Sequence, residues 1–166
     1  MIVAYLIIAL VAAQRLAEVV IAQRNTRALL ANGATEIAPG HYPLFILLHA
    51  TWLIAIVAML PRPVPIYWTA LAGYIALQAL RVWTVASLGR YWTTRIITMP
   101  GAPLIRTGPY RLVRHPNYLI VIGEIALLPL VFGELRVAIA FSVLNALLLA
   151  WRIRAEDAAL ATRRAL

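Results

Sequence analysis

Apolar runs long enough to cross a lipid bilayer dominate this chain and decide what it can become. A membrane-spanning helix needs about 20 consecutive apolar residues, and five such segments can be read along the sequence. The first covers about Ile2 to Ala22, although Gln14, Arg15 and Glu18 interrupt its second half. The second covers about Pro43 to Leu60 and stops at Pro-Arg-Pro-Val-Pro, which cannot continue a helix. The third covers about Ile66 to Leu88, and the fourth about Pro116 to Phe132, with Pro129 expected to bend its far end. The fifth begins near Leu135 and is expected to continue as one helix through Trp151 to Arg164, past the membrane. Only Gly-Glu-Leu separates the fourth and fifth segments, so they form a tight helical hairpin. No stretch reads as a convincing strand, and no period of about 20 to 50 residues repeats. The expected fold class is all-α: a polytopic membrane protein of five transmembrane helices with a cytoplasmic C-terminal helical extension. One domain spans residues 1–166, with spans one to three in 1–88, a cytoplasmic connecting segment in 89–115, and the hairpin and tail in 116–166.

Charge sets the expected orientation. The chain is 63% apolar and only 13% charged, too few charges to cover a soluble surface of 166 residues. Its net charge of +9 comes entirely from arginine on the basic side. Nucleic acid is not the expected partner, because the arginines fall between apolar runs rather than on a polar domain. Arg24, Arg27, Arg90, Arg95, Arg106, Arg111, Arg114 and the tail arginines Arg152, Arg154, Arg163 and Arg164 gather on one side, against Arg62 and Arg136 on the other. The positive-inside rule then puts the N-terminus outside and the C-terminus in the cytoplasm, as an odd number of spans also requires. The expected location is a bacterial inner membrane. The first apolar run has no charged region before it and reads as a retained span, not a removed signal. With no cysteine, disulfides and thiolate metal sites are excluded.

The residues that do not suit lipid collect at the cytoplasmic boundary. Ionisable groups at membrane depth face a cavity or a partner. Glu18 can pair with Arg81 near the end of span three, and Arg15 can pair with Glu18 from three positions away; snorkelling to water is the other reading for the two arginines. On span five, Asn145, Arg152 and Glu156 stand at i, i+7 and i+11 and share one stripe, with Asp157 beside it. On span four, Pro116 suits a first helical turn, and Asn117 and Glu124 share a face with Tyr118 adjacent. The dipole end beside Arg114 and His115 is a plausible anion site. His41, His49 and His115 show no ligand spacing, so no metal is expected; His49 reads as a helix-packing or cavity histidine.

At these residues the sequence resembles the isoprenylcysteine carboxyl methyltransferase family of integral membrane enzymes, on its bacterial branch. The resemblance rests on GPYRLVRHPNY (Gly108 to Tyr118), a helical hairpin, then RIRAEDAAL (Arg152 to Leu160), and covers roughly the C-terminal half. Two departures are visible: Ile120 stands where many relatives have glycine, and Asp157 replaces the usual second glutamate. The resemblance implies S-adenosylmethionine as methyl donor, leaving S-adenosylhomocysteine, and a lipophilic oxygen acceptor. That acceptor is a prenylcysteine-type carboxylate or the hydroxyl of an alkylated phenol or pyrone. It also implies a cofactor site on Tyr110, Arg111, Leu112, Val113, His115 and Tyr118 and on Arg152 and Glu156.

This chain has no glycine-rich turn after a strand, so any nucleotide site must be built from helices and the loop before span four. Arg152, Glu156, Asp157, His115 and Tyr118 supply its polar parts, and Asn145 is counted with them on the span-five stripe. A carboxylate acceptor needs no general base and is held by an arginine such as Arg114 or Arg81; a phenol, with a pKa of about 10, needs a base, for which His115 and Glu124 are the candidates. Arg114 joins these two as the catalytic set, while Arg81, Glu18 and Asn117 form the expected acceptor site. The acceptor's tail is expected to enter sideways from membrane lipid. Two other readings stand: a phospholipid N-methyltransferase, and a small channel or transporter lined by Glu18, Arg81, Asn117 and Glu124. The oligomeric state is not legible.

Overall fold

The computed structural model describes residues 1–102 and 105–164, and the side chains of all of these but His41 and residues 159–164. Five helices follow one another: α1 (Ile2–Ala31), α2 (Tyr42–Met59), α3 (Trp68–Leu88), α4 (Pro116–Val131) and α5 (Leu135–Arg164). Four of them, α1, α2, α3 and α5, are long and apolar enough to cross a membrane. With 16 residues, α4 is about 24 Å long, shorter than the ~30 Å of a hydrocarbon core. It is nevertheless central: Ile120, Val121, Ile125, Leu128 and Val131 are all buried, and it packs against both α3 and α5. The tail arginines Arg163 and Arg164 lie outside the described side chains.

The core runs along the bundle axis through Ala4, Ile8 and Val11 of α1, Trp52 and Ile56 of α2, Tyr74 of α3, and Val121, Ile125 and Leu128 of α4. The outer faces are just as apolar: Leu6, Leu10, Ile54, Ile139 and Leu147 are exposed. In water such a surface would aggregate; in lipid it costs nothing, and helix association falls to close packing and polar contacts. Both operate between α3 and α4. Gly123 faces Leu77 so closely that an added Cβ would stand 2.6 Å from a leucine methyl, and Gly73 approaches Leu127 from the other helix.

Two expectations are corrected. The first helix does not stop at Ala22 but runs to Ala31, because nothing in Gln23–Ala31 breaks a helix; the chain turns only at Gly33, whose φ is +86°. A small antiparallel sheet also exists: β1 (Thr35–Ile37) pairs with β2 (Ile96–Thr98), with Glu36 opposite Ile97. Three residues are too few to show an alternating pattern, and these two strands lie in different loops. Arg95 fastens them with bonds of 2.8 and 3.1 Å to the Glu36 carboxylate. The overhanging end of α1 is tied to the same region, where the Asn25 amide donates to the carbonyls of Gly89 and Trp92. The extra turns of α1 and the sheet thus gather both loops at one end of the bundle, beside the N-terminus of α4.

Candidate active site

The end of the bundle so gathered holds a cleft of about 710 Å³, within the usual range for a nucleotide-sized ligand. Its walls come from the sheet (Ile96, Ile97, Thr98), the loop before α4 (Arg106, Tyr110, Arg111, Arg114, His115), and Arg152 and Glu156 of α5. Leu29, on the unexpected extension of α1, also lines it. The 3₁₀ turn Gly108–Arg111 seats Tyr110 in this wall. Gly108 has φ +56°, and a Cβ there would fall 2.1 Å from the Ser87 hydroxyl, so the turn is pressed onto α3 and accepts only glycine. Burial, with the Glu156 carboxylate beside it, pushes the Tyr110 phenol well above its usual range.

Across the cleft, α4 and α5 are joined through one hydroxyl. Tyr118 donates to the Glu156 carboxylate and accepts from Arg152 Nε at 2.8 Å. The Arg152 guanidinium lies over the rings of both Phe45 and Tyr118, 5.3 and 5.6 Å from their centroids. His115, which precedes Pro116 at the helix start, stacks on Tyr118 with centroids 5.2 Å apart. Its Nε2 lies 3.4 Å from Asp157, and its Nδ1 lies 3.7 Å from Glu156. Residues remote in sequence are thereby brought into one polar wall.

A second cavity of about 350 Å³ lies deeper among α1, α2, α4 and α5. Most of its lining is apolar: Ala12, Leu16, Ile46, Leu53, Val121 and Leu149. Its polar members are Arg15, Glu18, Tyr42, His49, Arg81 and Thr94, and Trp92, Thr93, Asn117, Tyr118 and Arg152 line both cavities. The two spaces therefore meet at the first turn of α4. Trp92 Nε1 at this junction and Tyr42 Oη in the second cavity are buried and have no hydrogen-bond partner among the described residues. Buried polar atoms are normally satisfied, so these two are exceptions in the wall of the second cavity.

Behind the second cavity the membrane-depth charges neutralise one another. Arg81 makes a two-point pair with Glu18, at 2.7 and 2.6 Å, and reaches Glu124 at 3.0 Å. Arg15 contacts the same two carboxylates at 3.2 and 2.8 Å. Gln14 and Gln78 complete the ring with bonds to Glu18, to each other and to Glu124. Two cations and two anions in a low-dielectric core are tolerable only in such a closed arrangement. Snorkelling is thus excluded for Arg81, which is 6% exposed.

The placement of the sequence candidates divides them. Tyr110, Arg111, Arg114, His115, Tyr118, Arg152 and Glu156 meet at the cleft, Asn117 lies at the junction, and Arg81 and Glu18 line the second cavity. Glu124, 1% exposed, has both oxygens engaged and lines neither cavity. Asn145 lines neither and is buried without a hydrogen-bond partner among the described residues. Leu112 is 81% exposed, and neither it nor Val113 lines the cleft. Sequence reasoning missed Trp92, Thr93, Phe45 and the β2 residues. The aromatic, arginine-rich stretch Arg90–Arg95 was a local sign of Trp92 and Thr93; Phe45 and β2 lie outside it.

Comparison with known proteins bears on the same half of the chain. The family model described as Isoprenylcysteine carboxyl methyltransferase (ICMT) family matches residues 68–162, from α3 through the cleft to the acidic stretch of α5. Uncharacterized protein YpbQ of Bacillus subtilis (strain 168) is 39% identical over 160 residues, which is 94% of this chain and 95% of that protein. No solved structure matches.

Proposed function

Because this chain belongs to the isoprenylcysteine carboxyl methyltransferase family, a family of membrane methyltransferases, we propose that it is an S-adenosylmethionine-dependent O-methyltransferase of a lipophilic acceptor. One observation carries the reading: the Arg-His-Pro-Asn-Tyr corner and the acidic stretch of α5 share one cleft, joined by Tyr118 and Glu156. The residues present suit the cofactor. Arg106, Arg111 and Arg114 offer partners for a carboxylate, while Glu156 and Asp157 offer acceptors for an ammonium and ribose hydroxyls. Ile96, Ile97 and Ile105 supply an apolar wall for a base. When bound, the sulfonium group supplies the methyl that is transferred.

The chain's own part is alignment and exclusion of water, which contribute several kcal/mol to such a displacement. Tyr118, clamped by Arg152 and Glu156, holds the junction between the cavities at a fixed position. The apolar second cavity takes the acceptor's tail from the side of the bilayer, and Asn117 and Arg81 hold its polar head. Glu124 acts through Arg81 as a positioning residue, and His115 serves the cofactor side. In this reading the N-terminus lies outside and the cleft opens to the cytoplasm of a bacterial cell, in keeping with the arginine-rich loops around it. A channel has less support, since Glu18, Arg81, Asn117 and Glu124 bond to one another and Glu124 lines neither cavity.

The test is purified protein in detergent with methyl-labelled S-adenosylmethionine and three acceptors: a prenylcysteine, a long-chain alkylphenol or pyrone, and phosphatidylethanolamine. Label in either of the first two supports the proposal. Label only in the third transfers the protein to N-methylation, and no donor binding at all sinks the reading.

A further inference from the structure

Resting on the methyl-transfer reading above, we infer that His49 is the base that takes the proton from the acceptor, and that the acceptor is therefore a lipophilic phenol or enol rather than a carboxylate. His49 lies on α2 and lines the second cavity. Its Nδ1 stands 2.8 Å from the carbonyl oxygen of Phe45. A carbonyl only accepts, so Nδ1 carries the hydrogen, and the neutral ring presents Nε2 as a lone pair. Among the described residues no hydrogen bond reaches Nε2, and it is not among the fully buried polar atoms. The ring is held edge-on to Trp52, with centroids 6.3 Å apart. An oriented proton acceptor thus belongs to a residue that lines a largely apolar chamber.

Its position along α2 suits the task. Phe45, one turn nearer the cleft, packs on the Arg152 guanidinium, which bonds to Tyr118 at the junction of the two cavities. His49 is thus one helical turn, about 5.4 Å, deeper than a residue in contact with the junction. The groups facing the same chamber are Arg15 and Glu18 from α1, Tyr42 from α2, Arg81 from α3, Tyr118 from α4 and Arg152 from α5. Glu18 is already bound by Arg81, which leaves His49 as the neutral base in the chamber's lining. The guanidiniums favour the oxyanion that proton removal creates. A carboxylate, ionised at neutral pH, would have no use for such a base. His115 is on the other side of Tyr118, among the carboxylates of α5, and does not line this chamber.

The step balances. The acceptor's O–H proton passes to His49 Nε2, and the freed electron pair forms the O–CH3 bond as the S–CH3 bond breaks with its pair left on sulfur. The imidazolium then returns the proton to water.

The experiment uses the full-length protein in detergent and His49→Gln, with His49→Asn as a second variant in case the first fails to fold. S-adenosylmethionine binding by calorimetry reports folding and tests the underlying reading separately. Without donor, a 4-nitrophenol bearing a long alkyl chain is titrated while its phenolate absorbance is followed. The wild type is expected to ionise the bound phenol at lower pH than either variant. With donor, the variants are expected to lose about 100-fold in kcat on an alkylphenol, with KM nearly unchanged and the acidic limb of the pH–rate profile gone. Identical phenolate titrations, or an unaltered profile in a variant that binds donor, overturn the assignment. So does efficient methylation of a carboxylate lipid by protein that leaves the alkylphenol untouched.

Discussion

Arg81 and Glu18 meet in a two-point ion pair, Nε to Oε1 at 2.7 Å and Nη2 to Oε2 at 2.6 Å, although 63 residues separate them. The pair locks α1 to α3, and the remaining Nη1 of Arg81 reaches Glu124 on α4. One side chain therefore joins three helices and, through Asn117 at 3.5 Å, touches the junction of the two cavities.

Breaking that ring on one side leaves a charge without its partner in an apolar core. Arg81→Met is expected to destabilise the protein by about 3–5 kcal/mol, read as a lower unfolding temperature in detergent. The double variant Arg81→Met/Glu18→Gln is expected to recover part of the loss, and a strictly additive cycle would show that the two residues do not interact.

Tyr118→Phe removes the hydroxyl that joins Arg152 to Glu156 while keeping the ring on which His115 stacks. Loss of a hydrogen bond to charged groups costs about 1.5–3 kcal/mol, so donor affinity is expected to fall by about ten- to a hundredfold. Calorimetric titration of S-adenosylmethionine against detergent-solubilised protein measures it. Unchanged affinity would remove the clamp from the site.

Gly108→Ala tests the turn that presents Tyr110. The residue's φ of +56° and the Ser87 hydroxyl 2.1 Å from any added Cβ both oppose the change. A left-handed conformation alone costs a side chain about 1–2 kcal/mol, and the clash displaces the turn from α3. Weaker donor binding, with a lower unfolding temperature, is the expected result.

Glu134, in the turn between α4 and α5, gives a pH dependence. It is 7% exposed, and neither carboxylate oxygen has a hydrogen-bond partner among the described residues. Burial raises its pKa from 4.5 to about 7. Between these values the folded protein binds more protons than the unfolded one, so stability falls as pH rises through this window. Glu134→Gln is expected to raise the unfolding temperature at pH above about 7 and to change little below pH 4.5. An equal effect at both ends would show that ionisation is not involved.

The sequence alone determined the helices and where four of the five end, because a lipid-spanning helix must be predominantly apolar and is punctuated by proline and glycine. It also fixed which residues are out of place in lipid: Glu18, Arg81, His115, Glu124 and the Arg152–Asp157 stripe announce themselves as costly charges or polar groups among leucines. What it left open was partnership. Glu124 looks like a free carboxylate in the sequence, and only the approach of α1 and α3 engages it with Arg15, Arg81 and Gln78. His49 reads in the sequence as a packing or a cavity histidine, and only the cavity it lines decides between the two. The sheet that walls the cleft joins two three-residue strands whose paired residues, such as Glu36 and Ile97, lie in separate loops, and no local pattern encodes such a pairing. Periodicity and hydropathy are properties of neighbours along the chain, whereas a site is made by neighbours in space, which only the packing of the helices selects.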